Sequence, residues 1–321
     1  SGGTVSHDYA KKLNRFYNWD IYVLLDNTFE EIDKLKLVCE KNRFDLIIAI
    51  GGGKVLDTVK RISYLTQINH LSMPTIISND GLISPIAVIK NSEGKTESIP
   101  GMMPLGVIID LDIIKRSPRI YLRAAAGDIL SNISATNDWV IASKEKNEHL
   151  NDIAFHLSKS AANALIHFNE INLSSKSFLR MIVQGQVNSG IAMSLAGSSR
   201  PCSGSEHLIS HAIDYLGLSK NTLHGIQVAS ISLFTLFLQK KLKQIHIDYA
   251  RRTGIPLNFT CLLQDDGIEV MREVFEKAKV MRPGRITILD FLTNTEVFEM
   301  LNKYKNKINN EVRVLISSEA Y

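Results

Sequence analysis

The run Leu46-Ile47-Ile48-Ala49-Ile50, followed at once by Gly51-Gly52-Gly53-Lys54, constrains the fold more than any other stretch of this chain. Five apolar residues without polar alternation describe a strand covered on both faces, and that is the signature of a parallel sheet. Glycines at the carboxyl end of such a strand deliver the chain to the edge where open α/β sheets bind ligands. The pattern then turns helical over Val55–Leu65. Upstream, Thr28 and Glu31 stand at capping-box spacing, and Ile32, Leu35 and Val38 or Cys39 recur at helical spacing. A helix of about four turns is predicted there, preceded by a short buried strand over Ile21–Leu25. Further strands are predicted at Pro74–Ile77, Ile86–Ile89 and Val107–Ile109, with Asn91-Ser92-Glu93-Gly94 turning between extended segments.

The pattern changes after Asp112. Ser117-Pro118 places a capping hydroxyl before a proline suited to a first helical position, and helical spacing dominates thereafter. The reading is an α/β class chain: a parallel-sheet domain over residues 1–116 and an all-helical domain over 117–321. A length of 321 residues suffices for two hydrophobic cores.

Composition removes several classes of function. Apolar residues at 45% and charged residues at 22% are those of a folded globular protein. The apolar stretch Ile231–Leu238 falls far short of the roughly 20 residues a membrane span requires. The net charge of +4 is scattered, and its densest run, Lys240, Lys241, Lys243, Arg251 and Arg252, has none of the aromatic interleaving of a nucleic-acid surface. Cys39, Cys202 and Cys261 lack paired ligand spacing, which fits a reducing cytoplasm. A homo-oligomer is compatible with all of this.

Two regions carry candidate chemistry. At Gly51-Gly52-Gly53, backbone N–H groups and a helix N-terminus can hold a pyrophosphate, although a glycine triplet serves a bare tight turn equally well. Lys54, Asp57 and Lys60 follow on the helix, and a second polar turn, Ser78-Asn79-Asp80-Gly81, arrives at the same sheet edge. In the second region, His207 and His211 lie four residues apart on one helix face, with His224 beyond a loop. Asp128 sits in the apolar stretch Ala124–Leu130, where an ionised carboxylate needs either a metal cation or a basic partner. One carboxylate with two imidazoles forms an open catalytic metal site, able to polarise a hydroxyl or carbonyl oxygen. Arg200, close in sequence to His207, could meet an anion or pair with Glu206 or Asp214.

Taken together, Gly51-Gly52-Gly53-Lys54-Val55-Leu56-Asp57-Thr58, Pro74-Thr75 through Ser84-Pro85, Ala126-Gly127-Asp128, Ser199-Arg200-Pro201 through His211, and His224-Gly225 resemble the iron-containing (group III) alcohol dehydrogenase superfamily. Within it, the resemblance is to the branch of sn-glycerol-1-phosphate dehydrogenase and glycerol dehydrogenase, with dehydroquinate synthase more distant. It implies a Rossmann-like domain followed by a helical one, a nicotinamide cofactor (NAD or NADP) and one divalent metal (zinc, iron or nickel). By that resemblance Asp128, His207 and His224 match the metal ligands, His211 a proton relay and Asp80 a substrate contact. Gly51, Gly52, Gly53, Lys54, Asp57, Thr75, Ser78 and Ser84 match the dinucleotide site. Asn132 stands where some relatives carry a further histidine ligand, and no acidic residue near Ser1-Gly2-Gly3 selects NAD over NADP. The implied substrate is a small polyol or polyol phosphate, foremost the pair dihydroxyacetone phosphate and sn-glycerol 1-phosphate. The alternatives are glycerol dehydrogenation and a non-redox lyase reaction of the dehydroquinate synthase type.

Overall fold

The computed structural model describes residues 1–3, 5–264 and 269–318. Helix α1 (Val5–Tyr17) buries Ala10 against Ile50 and Met73 of the sheet. Helix α2 (Phe29–Asn42) starts where Thr28 Oγ1 accepts the Glu31 N–H at 3.3 Å, and its buried face is Ile32 and Cys39. The apolar run forms β1 (Ile47–Gly51), and the glycines lead into α3 (Gly53–Thr66). Strand β2 (His70–Pro74) pairs parallel to β1 from Ile47↔His70 to Gly51↔Pro74. The Thr75 N–H donates to Gly51 O at 3.0 Å, so the ends of both strands lie side by side. Strands β3 (Ile86–Lys90) and β4 (Thr96–Pro100) form an antiparallel hairpin, and β5 (Gly106–Val107) adds in parallel to β2. The sheet order is β1-β2-β5.

From Leu111 onward the described elements are helical: α4 (Leu111–Arg116), α5 (Arg119–Lys146), α6 (Asp152–Ile166), α7 (Lys176–Ala196), α8 (Ser205–Tyr215), α9 (His224–Leu238), α10 (Gln244–Thr253), α11 (Val270–Val280) and α12 (Asn294–Ser318), joined by short 3₁₀ turns. Helices α5 and α9 are covered nearly all round, as central helices must be to be apolar on every side. The core around them includes Ile129, Phe178, Leu208, Phe234, Phe275 and Tyr304. No described helix is long and apolar enough to cross a membrane.

Three local expectations are corrected. The strand expected at Pro74–Ile77 lies instead at His70–Pro74, because its ladder with β1 ends at Gly51↔Pro74. Ile21–Leu25 forms no strand: Leu24 is buried, but Tyr22, Val23 and Leu25 are exposed. Its hydrogen bonds run to the chain start, from Ser1 N to Tyr22 O and from the Leu24 N–H to Ser1 O, each 2.8 Å. Ser117 does not cap α5 either. Its hydroxyl donates to Ile114 O at 2.7 Å and closes α4, which leaves Pro118 at the cap position of α5.

Candidate metal centre and dinucleotide turn

Three side chains from three helices converge behind the sheet edge. Asp128 comes from α5, His207 from the first turn of α8 and His224 from the first residue of α9, and one donor atom from each lies within 4.8 Å of the others. Their convergence depends on two glycines. A Cβ on Gly127 would lie 2.5 Å from Gly225 O, and one on Gly225 would lie 2.1 Å from Ala124 O. Backbone contact between α5 and α9 is thus possible only without those side chains, and it sets Asp128 beside His224.

The electrostatics suit a cation. Burial pushes the Asp128 carboxyl well above the usual carboxylate range, and the nearby Asp80 and Glu206 carboxyls add to this. Burial depresses His207, His211 and His224 to about 3, so all three imidazoles are held neutral, the form that ligates metals. A desolvated carboxylate and two neutral imidazoles with converging lone pairs fit a divalent ion. The Asp80 N–H donates to Asp128 Oδ2 at 2.9 Å and fixes that carboxylate. Glu206 Oε1 lies 2.9 Å from His207 Nδ1, an arrangement that frees Nε2 for a ligand. Glu206 itself is fully buried and accepts from Gly204 N and Ser134 Oγ, each at 2.6 Å. Sequence reasoning missed this role, and the signal was an acidic residue directly before a candidate ligand. His211 stands one turn along α8, its ring centroid 6.2 Å from that of His207 and 5.8 Å from that of His224.

At the sheet edge the glycines divide into two kinds. A Cβ on Gly51 would sit 2.6 Å from Val55 Cγ2, so this residue is glycine for packing. At Gly52 the nearest atom to a Cβ would be Ile76 Cβ at 4.0 Å, and at Gly53 nothing lies within 4 Å. The free space in front of the N-terminus of α3 accommodates a phosphate-bearing ligand at backbone distance. Thr75, buried, borders it beside Gly51.

The remaining dinucleotide candidates hold the two turns together. Asp57 pairs at 2.7 Å with Lys60, whose fully buried ammonium also donates to Gly81 O at 2.7 Å and to Ile86 O. Lys60 thereby ties α3 to the second turn, where Asn79 Oδ1 accepts the Gly81 N–H at 3.0 Å. Burial lifts Asp80 to about 6 against the opposing charge of Lys60. Ser84 is buried beneath this turn, its N–H donating to Asp80 O at 3.3 Å. Ser78 is half-buried, and its carbonyl would lie 2.9 Å from a Cβ on Gly225, so the second turn abuts the start of α9. Lys54 is engaged elsewhere: it pairs at 2.8 Å with Asp26, which Lys90 also contacts at 2.8 Å. Arg200 meets neither Glu206 nor Asp214. Its side chain is 3% exposed and binds Glu148 Oε2 at 2.7 Å and Ile286 O at 2.5 Å. A 570 Å³ cavity lined by Ile21, Tyr22, Ile47, Ile48 and Val59 runs along the free edge of β1, away from the histidines.

The chain is similar to known proteins over most of its length. Residues 2–118 match the family model described as iron-containing alcohol dehydrogenase. The glycerol-1-phosphate dehydrogenase (NAD(P)+) of Pyrococcus furiosus is 37% identical over 88% of this chain and 81% of its own, and that of Pyrococcus horikoshii is 41% identical over 75% and 69%. The crystal structure of a probable glycerol dehydrogenase from Sinorhizobium meliloti superposes with a TM-score of 0.76 over 96% of this chain and 90% of that one, at 22% identity, and shares the fold. The chain belongs to the iron-containing alcohol dehydrogenase family, on the branch of the glycerol-1-phosphate and glycerol dehydrogenases.

Proposed function

We propose that this protein is an NAD(P)-dependent, metal-dependent dehydrogenase that interconverts dihydroxyacetone phosphate and sn-glycerol 1-phosphate. The observation that carries the reading is the identity of 34–41% to glycerol-1-phosphate dehydrogenases over most of the chain. The convergence of Asp128, His207 and His224 supports it on chemical grounds. In this reading residues 1–116 bind the dinucleotide and residues 117–321 the metal and substrate.

Asp128, His207 and His224 hold one divalent cation, and Glu206 keeps His207 in the ligating tautomer. When bound, the cation supplies Lewis acidity toward the substrate carbonyl or hydroxyl oxygen, and the nicotinamide supplies or accepts the hydride. The N–H groups at Gly52 and Gly53 position the pyrophosphate, flanked by Thr75, Ser78 and Ser84. Lys54 and Asp57 act one step back, Asp57 by fixing Lys60 and through it the second turn. Asp80 faces the substrate with a carboxyl whose affinity for a proton burial raises. His211, neutral and adjacent to both histidine ligands, relays the proton that the substrate oxygen gains on reduction. The cation's identity among zinc, iron(II) and nickel(II) is a matter of supply as much as of ligand type.

The test is to compare specificity constants for dihydroxyacetone phosphate and dihydroxyacetone, following oxidation of NADH and NADPH. A preference of at least about 10-fold for the phosphorylated ketone is expected. Equal constants, or a preference for the free ketone, would place the enzyme with the glycerol dehydrogenases.

A further inference from the structure

Two arginines that the mechanism leaves unused stand side by side next to the helix of the histidines. Arg282-Pro283-Gly284-Arg285 follows α11 as a tight turn: the Arg285 N–H donates to Arg282 O at 3.1 Å, and Gly284 has φ +79°. Proline at the second position and a left-handed glycine at the third make this a type II turn, which brings its first and fourth residues together. Both guanidiniums reach the loop that leads into α8. Arg282 Nη1 donates to Ser199 Oγ at 2.6 Å, Arg285 Nη2 donates to the same oxygen at 3.1 Å, and Arg285 Nη1 donates to Ser203 O at 2.5 Å. Ser203 lies four residues before His207.

The charges are offset only in part, Glu148 and Glu206 acting on Arg285 from beyond ion-pair distance. Among the described residues no carboxylate stands within ion-pair distance of either arginine. The nearby acids are engaged elsewhere, Glu148 with Arg200 and Glu206 with His207. Arg200 adds a third positive charge from beneath. Burial and this mutual repulsion lower Arg285 to about 10 against the opposing pull of Glu148 and Glu206, and burial lowers Arg282 as well. A guanidinium carries five N–H donors in a planar fork suited to phosphate oxygens, and the serines take one from Arg282 and two from Arg285. Two half-buried cations held against each other, with donors to spare and, among the described residues, no carboxylate paired to either, make a site that a dianion completes.

We propose that Arg282 and Arg285 bind the phosphate of the substrate, placing its ketone carbon at the Asp128, His207 and His224 centre. The proposal rests on the assignment of a phosphorylated substrate. It also makes the Arg-Pro-Gly-Arg turn the element that separates phosphorylated from free ketones. A neutral ketone would meet two repelling cations and bring no charge of its own to offset them.

The test uses the metal-loaded enzyme and its Arg282→Gln, Arg285→Gln and double variants, with inorganic phosphate as the probe. In wild type, inorganic phosphate should compete with dihydroxyacetone phosphate. In the double variant the ratio of kcat/KM for the phosphorylated over the free ketone should fall at least about 10-fold, mainly through KM, with inhibition by inorganic phosphate weakened in parallel. Where a glutamine variant does not fold, Arg282→Lys and Arg285→Lys keep the charge and lose the fork, and should give a smaller loss of the same ratio. A ratio and a phosphate inhibition both unchanged in the folded variants would overturn the proposal. So would a wild-type enzyme that inorganic phosphate does not inhibit. A wild-type enzyme without preference for the phosphorylated ketone would instead overturn the substrate assignment, and the arginine site would then be judged by inorganic phosphate inhibition alone.

Discussion

The dinucleotide turn and the metal centre are built on opposite plans. At Gly52 and Gly53 the protein contributes backbone and empty space, and no side chain crowds the position a Cβ would take. At Gly127 and Gly225 it contributes contact so close that a Cβ on either would strike a carbonyl of the facing helix. In the proposed reading glycine at the first pair serves the ligand, whereas at the second pair it serves the fold. The difference teaches that stability and binding should respond separately to substitutions of the same kind, and mutations can break or sharpen that separation.

The largest effect should come from Gly225→Val. With Ala124 O only 2.1 Å from the first added carbon, α5 and α9 must part, and a loss of about 3 kcal/mol or more is expected in a chemical denaturation curve. A variant as stable as wild type would show that the helix contact is not needed. Next is His207→Ala, which removes a ligand from a site of three. Metal affinity, read by competition with a chromogenic chelator, should drop at least about 100-fold, or about 2.7 kcal/mol, while the metal-free protein keeps its melting temperature. Stoichiometric metal in this variant would contradict the ligand set. Glu206→Gln is milder. It keeps the shape but loses the charge that orients His207, and a weakening of about 10- to 100-fold in metal affinity is expected. The smallest effect, and the one that sharpens the contrast most, is that of Gly52→Ala. Its stability should stay within about 0.5 kcal/mol of wild type, because the added carbon meets nothing nearer than 4.0 Å, while dinucleotide affinity by fluorescence titration falls about 10-fold. Loss of stability together with retained binding would reverse the roles of the two glycine pairs.

The same contrast explains what could be read from sequence. The glycine turn is a local feature, since an apolar strand, three glycines and a helix follow one another directly, and β1 and α3 form where that order places them. The pair His207 and His211 was legible because helical spacing alone puts both on one face. The role of Gly127 and Gly225 was not, because it depends on the approach of helices nearly a hundred residues apart in sequence, although both glycines flank candidate ligands. Ile21–Leu25 misled because β-favouring residues suggest a strand even where Leu24 is buried, Ile21 half-buried, the other three exposed, and the backbone bonds to Ser1. Ser117 misled in a related way, since a hydroxyl between two helices can cap the second or close the first, and local sequence does not choose. Arg200 illustrates the limit for charges. Proximity to His207 in sequence suggested a ligand or an adjacent carboxylate, yet its partner, Glu148, comes from the loop after α5.

In the proposed reading Asp128, His207 and His224 hold the one cation on which turnover of the phosphorylated ketone depends. The most direct test is to strip the enzyme with a chelator and titrate zinc, iron(II) or nickel(II) back while following NAD(P)H oxidation by dihydroxyacetone phosphate. No turnover is expected without metal, recovery should saturate at one equivalent per chain, and His207→Ala should show no recovery at that stoichiometry. Full turnover in the metal-free enzyme, or recovery in His207→Ala indistinguishable from wild type, would contradict it.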